Sequence, residues 1–315
     1  MDKSRPKRKY QYKKGKLVLS FSAYKLYKDC PAAFFNRYIA RTKIPDQDDK
    51  TATVPGSIID RLNRIYFKKL QETGRKADWI YDSTRPHLRE HFEFWINDPK
   101  VFLGDGQFAK DKESAFLYVA KVAEKMLRLI QSEKLAENFN FILSEWEHNN
   151  PTEFGSPYKP LVINEWLSLM GSFDFYGAET RDGLGKLLDW KASRSFYHLD
   201  PDQLKLYNIA VIKKWNLRVG MCGFVLPILG TTKWHRFNND VLEGFTGTLV
   251  HTAKKIDREE FDYTPSEASC RMCPFKSSCA KAVVKTSTDI KKRAAAKNDV
   301  VNANIPTPLL EEPEL

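Results

Sequence analysis

The chain has 315 residues, of which 42% are hydrophobic and 29% are charged. This composition excludes a chain that is disordered throughout, and its 15 Gly and 16 Pro exclude a fibrous or low-complexity protein. The longest apolar run, Met221–Leu229, is about half of the roughly 18 residues that a membrane helix needs. The apolar stretch after the basic N-terminus is too short for a secretory signal. We therefore expect a soluble, intracellular (cytoplasmic) protein with no membrane-embedded part.

The net charge of +11 is concentrated at the N-terminus, where residues 1–16 hold eight basic residues and one acidic residue. A flexible basic arm of this kind can bind a polyanion such as nucleic acid without sequence preference, because each phosphate contact releases counterions. A solvated, solubilising tail is the alternative. At the other end, residues 285–315 are polar and close on a segment rich in Pro and Glu, which predicts a disordered tail.

The first predicted elements follow the basic arm. Residues 17–20 are typical of a short strand, and Ser22 is the predicted N-cap of the helix that comes next. Pro31 is expected to begin a second helix, since proline is favoured at the first helical position. The N-terminal region is therefore predicted to contain one strand and a pair of short helices.

Longer helices are predicted after this region. From Gly56 to Leu70, apolar residues recur every three or four positions, which predicts an amphipathic helix. Asp60 lies at the flank of its buried stripe. Amphipathic segments such as Ala115–Leu129 indicate that residues 75–150 are mostly helical.

From about residue 161, short apolar or alternating runs separated by Gly and Asp predict a meander of antiparallel strands. The motif Asp200-Pro201-Asp202-Gln203 then predicts the start of a helix that extends to about Trp215. A further helix is predicted at Val241–Lys255. The predicted strands are Leu161–Met170, Gly171–Tyr176, Gly185–Lys191 and, as a buried strand, Met221–Leu229.

Two carboxylates and a lysine form the sharpest local signal. Side chains alternate along a strand, so Asp189 and Lys191 lie on one face and Trp190 lies on the other. A neighbouring strand that carries Asp174 can bring a second carboxylate beside Asp189. Close carboxylates repel unless a proton or a divalent cation intervenes, and oxygen ligands favour Mg²⁺ or Mn²⁺. With a lysine beside that cation, the set predicts metal-assisted phosphodiester hydrolysis, whereas a salt-bridged pair on a solvated face is the alternative.

Gln203 and Tyr207 are four residues apart on the predicted helix and therefore share a face. If that face is directed at the carboxylates, both side chains could contact a phosphate or a base. Alternatively, Gln203 completes a capping box with Asp200, and Tyr207 belongs to the core. The two roles of Gln203 are compatible.

Three of the five cysteines lie close together, in Cys270-x2-Cys273-x5-Cys279. Thiols at this density in an intracellular chain indicate a metal site rather than disulfides. Four ligands are needed, and Cys30 is the better fourth because Cys222 lies in an apolar run typical of a buried thiol. Zinc and an iron–sulfur cluster are both compatible with the spacing, and the irregular intervals favour the cluster.

Together these motifs resemble the RecB-type nucleases of the PD-(D/E)XK superfamily, specifically the iron–sulfur branch that includes the CRISPR-adaptation nuclease and the AddB nuclease domain. The likeness covers residues 17–284. It depends on six motifs in order: Ser20-Phe21-Ser22 through Tyr27-x2-Cys30-Pro31, Gly56-Ser57-x2-Asp60, Gly171-x2-Asp174, Asp189-x-Lys191, Gln203-x3-Tyr207 and the cysteine triplet.

The resemblance implies an α/β (α+β) fold with a restriction-endonuclease-like core, in which helices flank a mixed central sheet. It implies a single nuclease domain over residues 17–284, with a helical insertion at about 75–150 and an iron–sulfur clasp. The cysteine segment 270–279 would be joined by that clasp to the N-terminal region. Without the metal, the clasp is expected to loosen.

The resemblance also implies roles for individual residues. Asp174, Asp189 and the carbonyl of Trp190 correspond to metal ligands, and Lys191 corresponds to the catalytic lysine. Asp60 stands where the family usually has a histidine and could still bind the cation, which leaves the preference between Mg²⁺ and Mn²⁺ open. Gln203 and Tyr207 fall on the motif after the active-site strand. The positions of the 4Fe-4S ligands are taken by Cys30, Cys270, Cys273 and Cys279.

These observations predict a metal-dependent DNA nuclease, and more specifically an exonuclease that acts on single-stranded or frayed DNA in recombination, repair or end processing. A helicase or recombination partner would suit the family. The alternative is a non-catalytic nucleic-acid-binding protein with structural zinc at the cysteines. His87 and His91, four apart on a predicted helix, form a weaker metal-site candidate because no third ligand is evident nearby.

Overall fold

The structure is a computed structural model that describes residues 17–43, 54–73, 88–97, 111–132, 139–144 and 152–283, apart from residues 91, 95, 194, 198 and 272. The predicted basic arm over residues 1–16, the predicted tail over residues 285–315 and the pair of His87 and His91 lie outside the described residues.

The described chain contains helices and strands in an order close to the predicted one. The helices are α1 (Phe21–Asp29), α2 (Pro31–Phe34), α3 (Val54–Thr73), α4 (Lys112–Ser132), α5 (Pro201–Trp215), α6 (Asn239–Asp257) and α7 (Glu267–Arg271). A π-helical turn, Phe35–Ile39, follows α2, and a 3₁₀ turn lies at Lys276–Ser278. The strands are β1 (Leu17–Leu19), β2 (Phe141–Ser144), β3 (Glu153–Gly155), β4 (Leu161–Val162), β5 (Leu167–Leu169), β6 (Gly171–Ser172), β7 (Phe175–Ala178), β8 (Leu184–Trp190), β9 (Arg218–Leu226) and β10 (Thr231–His235).

A five-stranded mixed sheet lies at the centre, in the order β10-β9-β8-β7-β2. Strands β8 and β9 are parallel, whereas the other neighbours in this sheet are antiparallel. Parallel neighbours need a crossover connection, and α5 provides it between β8 and β9. Strand β2 forms one edge of this sheet, although it lies in residues 75–150, which were predicted to be mostly helical.

The predicted antiparallel meander is only partly correct. Strands β7 and β8 pair antiparallel, as expected. Strand β5, however, lies in a separate sheet, where it is parallel to β1 and antiparallel to β4. A bend at Gly171, whose φ of 146° is strained for a residue with a Cβ, separates β5 from β7. The apolar run over residues 161–176 therefore contributes to more than one sheet.

Two apolar cores lie on opposite faces of the central sheet. Leu187 and Phe224 belong to the core that includes α1, α5 and α6, whereas Leu188 and Val225 belong to the core that includes α3 and α4. Successive residues of β8 and β9 therefore bury side chains in different cores, as the alternation of a strand requires. Each large apolar side chain buried in this way contributes about 1.5–3 kcal/mol. The result is the expected mixed α/β fold, in which helices flank mixed sheets.

The helix starts show one error in the predictions. Ser20, rather than Ser22, caps α1, because its extended backbone allows its Oγ to accept a hydrogen bond of 3.2 Å from the Ala23 N–H. Ser22 already lies inside the first helical turn. Pro31 begins α2 as predicted, and α5 ends at Trp215 as predicted. Among the described helices, none is both long enough and apolar enough to cross a membrane.

Candidate functional site

Strand pairing brings Asp174 and Asp189 together. Phe175 pairs with Leu188 across the antiparallel strands β7 and β8. Asp174 precedes Phe175 and Asp189 follows Leu188, so these two aspartates form the next pair along the strands. Asp174 Oδ2 accepts a hydrogen bond of 2.8 Å from the backbone N–H of Trp190. Asp189 is only 2% exposed. The structure therefore places both predicted carboxylates at the end of β8.

The electrostatics of this pair show that its negative charge is not fully balanced. Burial raises the pKa of Asp174 well above its usual range, and the charges of Asp189 and Asp60 raise it further. Burial also raises the pKa of Asp189, against the opposing effect of Lys191 and with a further contribution from Asp60. Asp60, on α3, thus lies close enough to act on both carboxyls. Three carboxyl groups share one electrostatic environment at this point of the fold.

Lys191 supplies a positive charge beside them. Its Nζ lies 2.6 Å from Asp189 Oδ2, and its backbone N–H donates a hydrogen bond of 2.9 Å to the Val225 carbonyl of β9. Burial lowers the pKa of Lys191, but the charges of Asp189, Asp174 and Asp60 outweigh this effect and leave the pKa raised. The side chain is therefore held as an ammonium.

The donor chemistry of the site fits a hard divalent cation. One ammonium faces three carboxyl groups: Lys191 Nζ lies 2.6 Å from the buried Asp189 Oδ2, while Asp189 and Asp60 both raise the pKa of Asp174. The carboxylate charge that a single ammonium leaves unbalanced is costly to bury unless a proton or a further cation compensates it. Oxygen-only donors of this type suit Mg²⁺ or Mn²⁺. As the side chains stand, however, no three His, Cys, Asp or Glu residues in the described ranges already form a metal-binding group.

Gln203 and Tyr207 face the same carboxylates from α5. Gln203 Nε2 donates hydrogen bonds to Asp189 Oδ1 at 3.0 Å and to the Tyr207 hydroxyl at 2.8 Å. Burial raises the pKa of Tyr207 well above its usual range, with further contributions from Asp189 and Asp174. The helix is capped by Asp200, whose Oδ1 accepts from the Asp202 N–H at 3.1 Å, while the amide of Gln203 is used at the site. The shared face predicted from the sequence is thus directed at Asp189.

Trp190 lies between the site and the second core. Its backbone N–H is bonded to Asp174, while its indole stacks on Phe67 of α3 with ring centroids 5.9 Å apart. A Cβ placed on Gly56, at the start of α3, would lie 3.7 Å from the Cβ of Ala192. Helix α3 therefore packs directly on the end of β8, which explains why Asp60 acts on the carboxylates.

Asp202 is a site residue that the sequence analysis treated only as part of a helix start. Its Oδ2 accepts hydrogen bonds from Lys28 Nζ at 2.8 Å and from the Tyr24 hydroxyl at 3.2 Å, and its Oδ1 accepts from Lys205 Nζ at 2.9 Å. Burial raises the pKa of Asp202, but the bonds from Lys28 and Lys205 prevail and lower it. The two basic residues of α1, Lys25 and Lys28, which are three positions apart, were the available signal.

The four predicted cysteine ligands come from distant parts of the chain and line one cavity. Cys30 lies between α1 and α2, Cys270 lies in α7, and Cys273 and Cys279 follow it. The cavity has a volume of about 220 Å³. Burial raises the pKa of Cys273, a backbone hydrogen bond opposes it, and Cys30, Cys270 and Cys279 raise it further. The other three cysteines therefore lie close enough to Cys273 to affect its pKa.

Cys222 is separate from this group. It is buried in β9, where its Sγ accepts a hydrogen bond of 3.6 Å from Asn208 Nδ2. Burial raises the pKa of this thiol to about 12, so it is held protonated. It behaves as the ordinary buried thiol that the sequence predicted.

A mixed sheet flanked by helices, with two acidic side chains and a lysine at the end of adjoining strands, is the arrangement expected for a metal-assisted hydrolase of phosphodiesters. The sequence profile of the PD-(D/E)XK nuclease superfamily matches residues 18–280, so the chain belongs to that superfamily. Its members are generally metal-dependent nucleases that use Mg²⁺ or Mn²⁺, which implies a nucleic-acid substrate.

Other comparisons add little. No curated protein matches the chain. A solved structure titled "Crystal structure of SSO0001" is similar over 84% of this chain and 97% of that chain, with 14% sequence identity and a TM-score of 0.32. At that TM-score the likeness supports no argument about this protein.

Proposed function

We propose that this protein is a metal-dependent DNA nuclease of the RecB type, which degrades single-stranded or frayed DNA as an exonuclease during recombination, repair or end processing. The observation that carries the proposal is the convergence of Asp174, Asp189 and Lys191, with Gln203 bonded to Asp189. The preference for single strands and the exonuclease action depend on the resemblance to the RecB-type branch.

In this proposal Asp174, Asp189, the main-chain carbonyl of Trp190 and Asp60 hold Mg²⁺ or Mn²⁺. When bound, the cation supplies Lewis acidity at the scissile phosphate and a reactive water. Asp174 is oriented by its hydrogen bond from Trp190, and Asp189 is oriented by Gln203. Preoriented ligands of this kind reduce the reorganisation that cation binding requires.

The role of Lys191 follows from its charge and position. In the metal-free protein, the neighbouring carboxylates raise its pKa and keep the side chain protonated. Its ammonium stabilises the negative charge that grows on the phosphate oxygens and orients the attacking water. Because the group is largely buried beside Asp189, this electrostatic effect is stronger than it would be in bulk water. Tyr207 holds the amide of Gln203 and so acts on Asp189 indirectly.

We also propose that Cys30, Cys270, Cys273 and Cys279 hold a 4Fe-4S cluster. The support is that these four cysteines line one cavity of about 220 Å³ while Cys222 lies elsewhere. Thiolates bind both zinc and iron–sulfur clusters, and the irregular spacing Cys270-x2-Cys273-x5-Cys279 favours the cluster. The bound cluster would hold the junction between α1 and α2 against the segment that follows α6.

Degradation of end-labelled linear and circular single-stranded DNA tests the catalytic proposal. We expect degradation that needs Mg²⁺ or Mn²⁺, is abolished by a chelator and falls by about two orders of magnitude or more in Lys191→Ala. The matched control is Lys186→Ala on the same strand, where the lysine lies over the rings of Phe139 and Trp234 on the opposite face. Wild-type cleavage by Lys191→Ala with its iron intact would refute the proposal, and cleavage of circles would overturn the exonuclease assignment.

Iron analysis and visible absorbance test the cluster. We expect a brown protein in which Cys30→Ala loses iron, whereas Cys222→Ala keeps it and loses only the stability expected for a small core cavity, about 1–2 kcal/mol. A colourless protein with stoichiometric zinc and no cation-dependent cleavage would instead support a non-catalytic nucleic-acid-binding protein with a structural zinc site.

A further inference from the structure

Lys233 lies on the catalytic face of the sheet, although it is two strands away from Asp189. Asp189 pairs with Phe224 across β8 and β9, and Phe224 pairs with Lys233 across β9 and β10. Directly paired residues point to the same face of a sheet. Since neighbouring strands are about 4.8 Å apart, the backbone of Lys233 lies roughly 10 Å from that of Asp189.

Two exposed aromatic residues lie next to this lysine, on the connection from β8 to α5. Phe196 is 44% exposed and Tyr197 is 76% exposed, and they follow Lys191 by five and six residues. The Lys233 Nζ lies 5.7 Å from the centroid of the Phe196 ring. Before them in the chain, the Ser193 Oγ donates a hydrogen bond of 2.7 Å to the Ser195 carbonyl. Both rings are thus exposed to solvent on the segment that follows Lys191 in the chain.

The charge of Lys233 is available to an anion. Within the described part of the chain, no carboxylate oxygen lies within ion-pair distance of Lys233, whereas Lys28, Lys191 and Lys205 each pair with an aspartate. On the other side of the connection, Tyr197 lines a cavity of about 690 Å³ together with Lys28 and Arg271. Lys233 and the two exposed rings therefore lie on the segments next to Asp189 and Lys191, and Tyr197 also borders this basic cavity.

We propose that Phe196, Tyr197 and Lys233 form a nucleotide subsite, in which Lys233 binds a phosphate next to the scissile one and the two rings stack on unpaired bases. This inference rests on the proposed nuclease function and names the residues that would select a single strand. An aromatic ring can stack on any exposed base, so the subsite would be indifferent to sequence. Bases in a duplex already stack on each other and are not available to these rings.

Removing the bases from the probe while keeping its backbone tests the subsite. Fluorescence anisotropy in the presence of a chelator compares a labelled oligothymidylate with an abasic oligonucleotide of the same length, so that no cleavage occurs. Stacking contributes about 1–3 kcal/mol per base, so we expect the wild-type chain to bind oligothymidylate at least about fivefold more tightly. The basic arm contacts phosphates that the two probes share and therefore does not affect this ratio.

We expect the aromatic variant and the lysine variant to change different properties of DNA binding. In Phe196→Ala/Tyr197→Ala the preference for oligothymidylate falls to near one, while Tyr158→Ala, which removes a side chain that is 78% exposed elsewhere, leaves it unchanged. Lys233→Ala weakens binding of both probes equally and lowers the slope of log affinity against log salt by about one.

The outcomes also separate this inference from the proposed function. Equal affinity of the wild-type chain for both probes, or an unchanged preference in the double aromatic variant, would overturn the subsite even if the protein cleaves DNA. Failure of the wild-type chain to bind or cut any DNA would overturn the proposed function itself.

Discussion

Lys28 Nζ lies 2.8 Å from Asp202 Oδ2, and this ion pair joins two functional regions of the protein. Lys28 belongs to α1, which ends at Asp29, directly before Cys30 of the cysteine cavity. Asp202 lies in the first turn of α5, directly before Gln203, whose amide is bonded to Asp189. The position of the Asp189 carboxylate is therefore connected, through two short contacts, to the helix that directly precedes Cys30.

Lys28→Ala should weaken this connection without unfolding the protein. Asp202 would keep its bonds from Tyr24 and Lys205, and a half-exposed ion pair contributes about 0–1 kcal/mol to stability. We expect a two- to fivefold lower rate of single-strand degradation, roughly 1 kcal/mol or less, with unchanged iron content. Lys25→Ala is the matched control, because Lys25 pairs with Asp200, as Lys28 does, but has no ion pair with Asp202. Equal rates in the two variants would contradict a role for the Lys28 contact.

Asp174→Asn should stabilise the metal-free protein at neutral pH. Because burial and neighbouring carboxylates raise the pKa of Asp174, the folded chain binds its proton more tightly than the unfolded chain does. The stability that this proton contributes is complete below the unfolded pKa and is lost as the pH rises through the raised folded value. An asparagine avoids that loss and still accepts the hydrogen bond from Trp190.

Denaturant unfolding in a chelator, over a series of pH values, measures this effect. We expect Asp174→Asn to be more stable than wild type at neutral pH by about 1 kcal/mol or more, since each pKa unit corresponds to about 1.4 kcal/mol. The difference should shrink as the pH falls through the raised pKa, while cleavage activity is lost throughout. Asp182→Asn, in the exposed turn before β8, should show no such trend. A variant less stable than wild type at neutral pH would show that the carboxylate is not destabilising.

Tyr207→Phe should lower the cleavage rate without changing its pH dependence. The substitution removes the hydroxyl that accepts from Gln203 and keeps the ring, whose centroid lies 6.0 Å from that of Phe154. One lost hydrogen bond of about 1 kcal/mol corresponds to a rate decrease of roughly fivefold. The pKa of Tyr207 is raised well above its usual range, so the hydroxyl is protonated at every pH of the assay.

The control for this prediction is Tyr176→Phe. It also deletes a buried hydroxyl bond, 3.0 Å to the Arg218 carbonyl, but at the end of the sheet away from Asp189. The pH profile of kcat/KM for both variants decides the question. A shifted profile in Tyr207→Phe would mean that Tyr207 itself titrates during catalysis.

Gly171→Ala should destabilise the fold that positions Asp174. Gly171 has a φ of 146°, and a Cβ at this position would lie 2.9 Å from Phe154 Cζ. We expect a loss of about 2 kcal/mol or more in the free energy of unfolding, measured by denaturant titration. In contrast, Gly244→Ala in α6 meets no heavy atom within 4 Å and should stabilise the protein by about 0.5–1 kcal/mol. A tolerated Gly171→Ala would show that the bend between β5 and β7 does not depend on glycine.

The errors of prediction have a common cause. Ser22 met the rule for an N-cap, but β1 ends at Leu19 and the helix begins at Phe21, which makes Ser20 the cap. The apolar run over residues 161–176 met the rule for an antiparallel meander, but β5 pairs with β1, about 150 residues away in the chain. A local sequence pattern indicates whether a segment is a helix or a strand. The boundaries of that element and its pairing depend on partners that are distant in sequence.

By itself, the amino-acid sequence determined the chemistry of the candidate site, because alternation along β8 and the four-residue spacing on α5 depend only on neighbouring residues. Only the tertiary structure decided that Asp60 acts on the carboxylates, that Asp202 binds Lys28 and that Lys233 shares the face of Asp189. These relationships depend on a parallel crossover and on helix packing, which join residues that no short-range pattern connects.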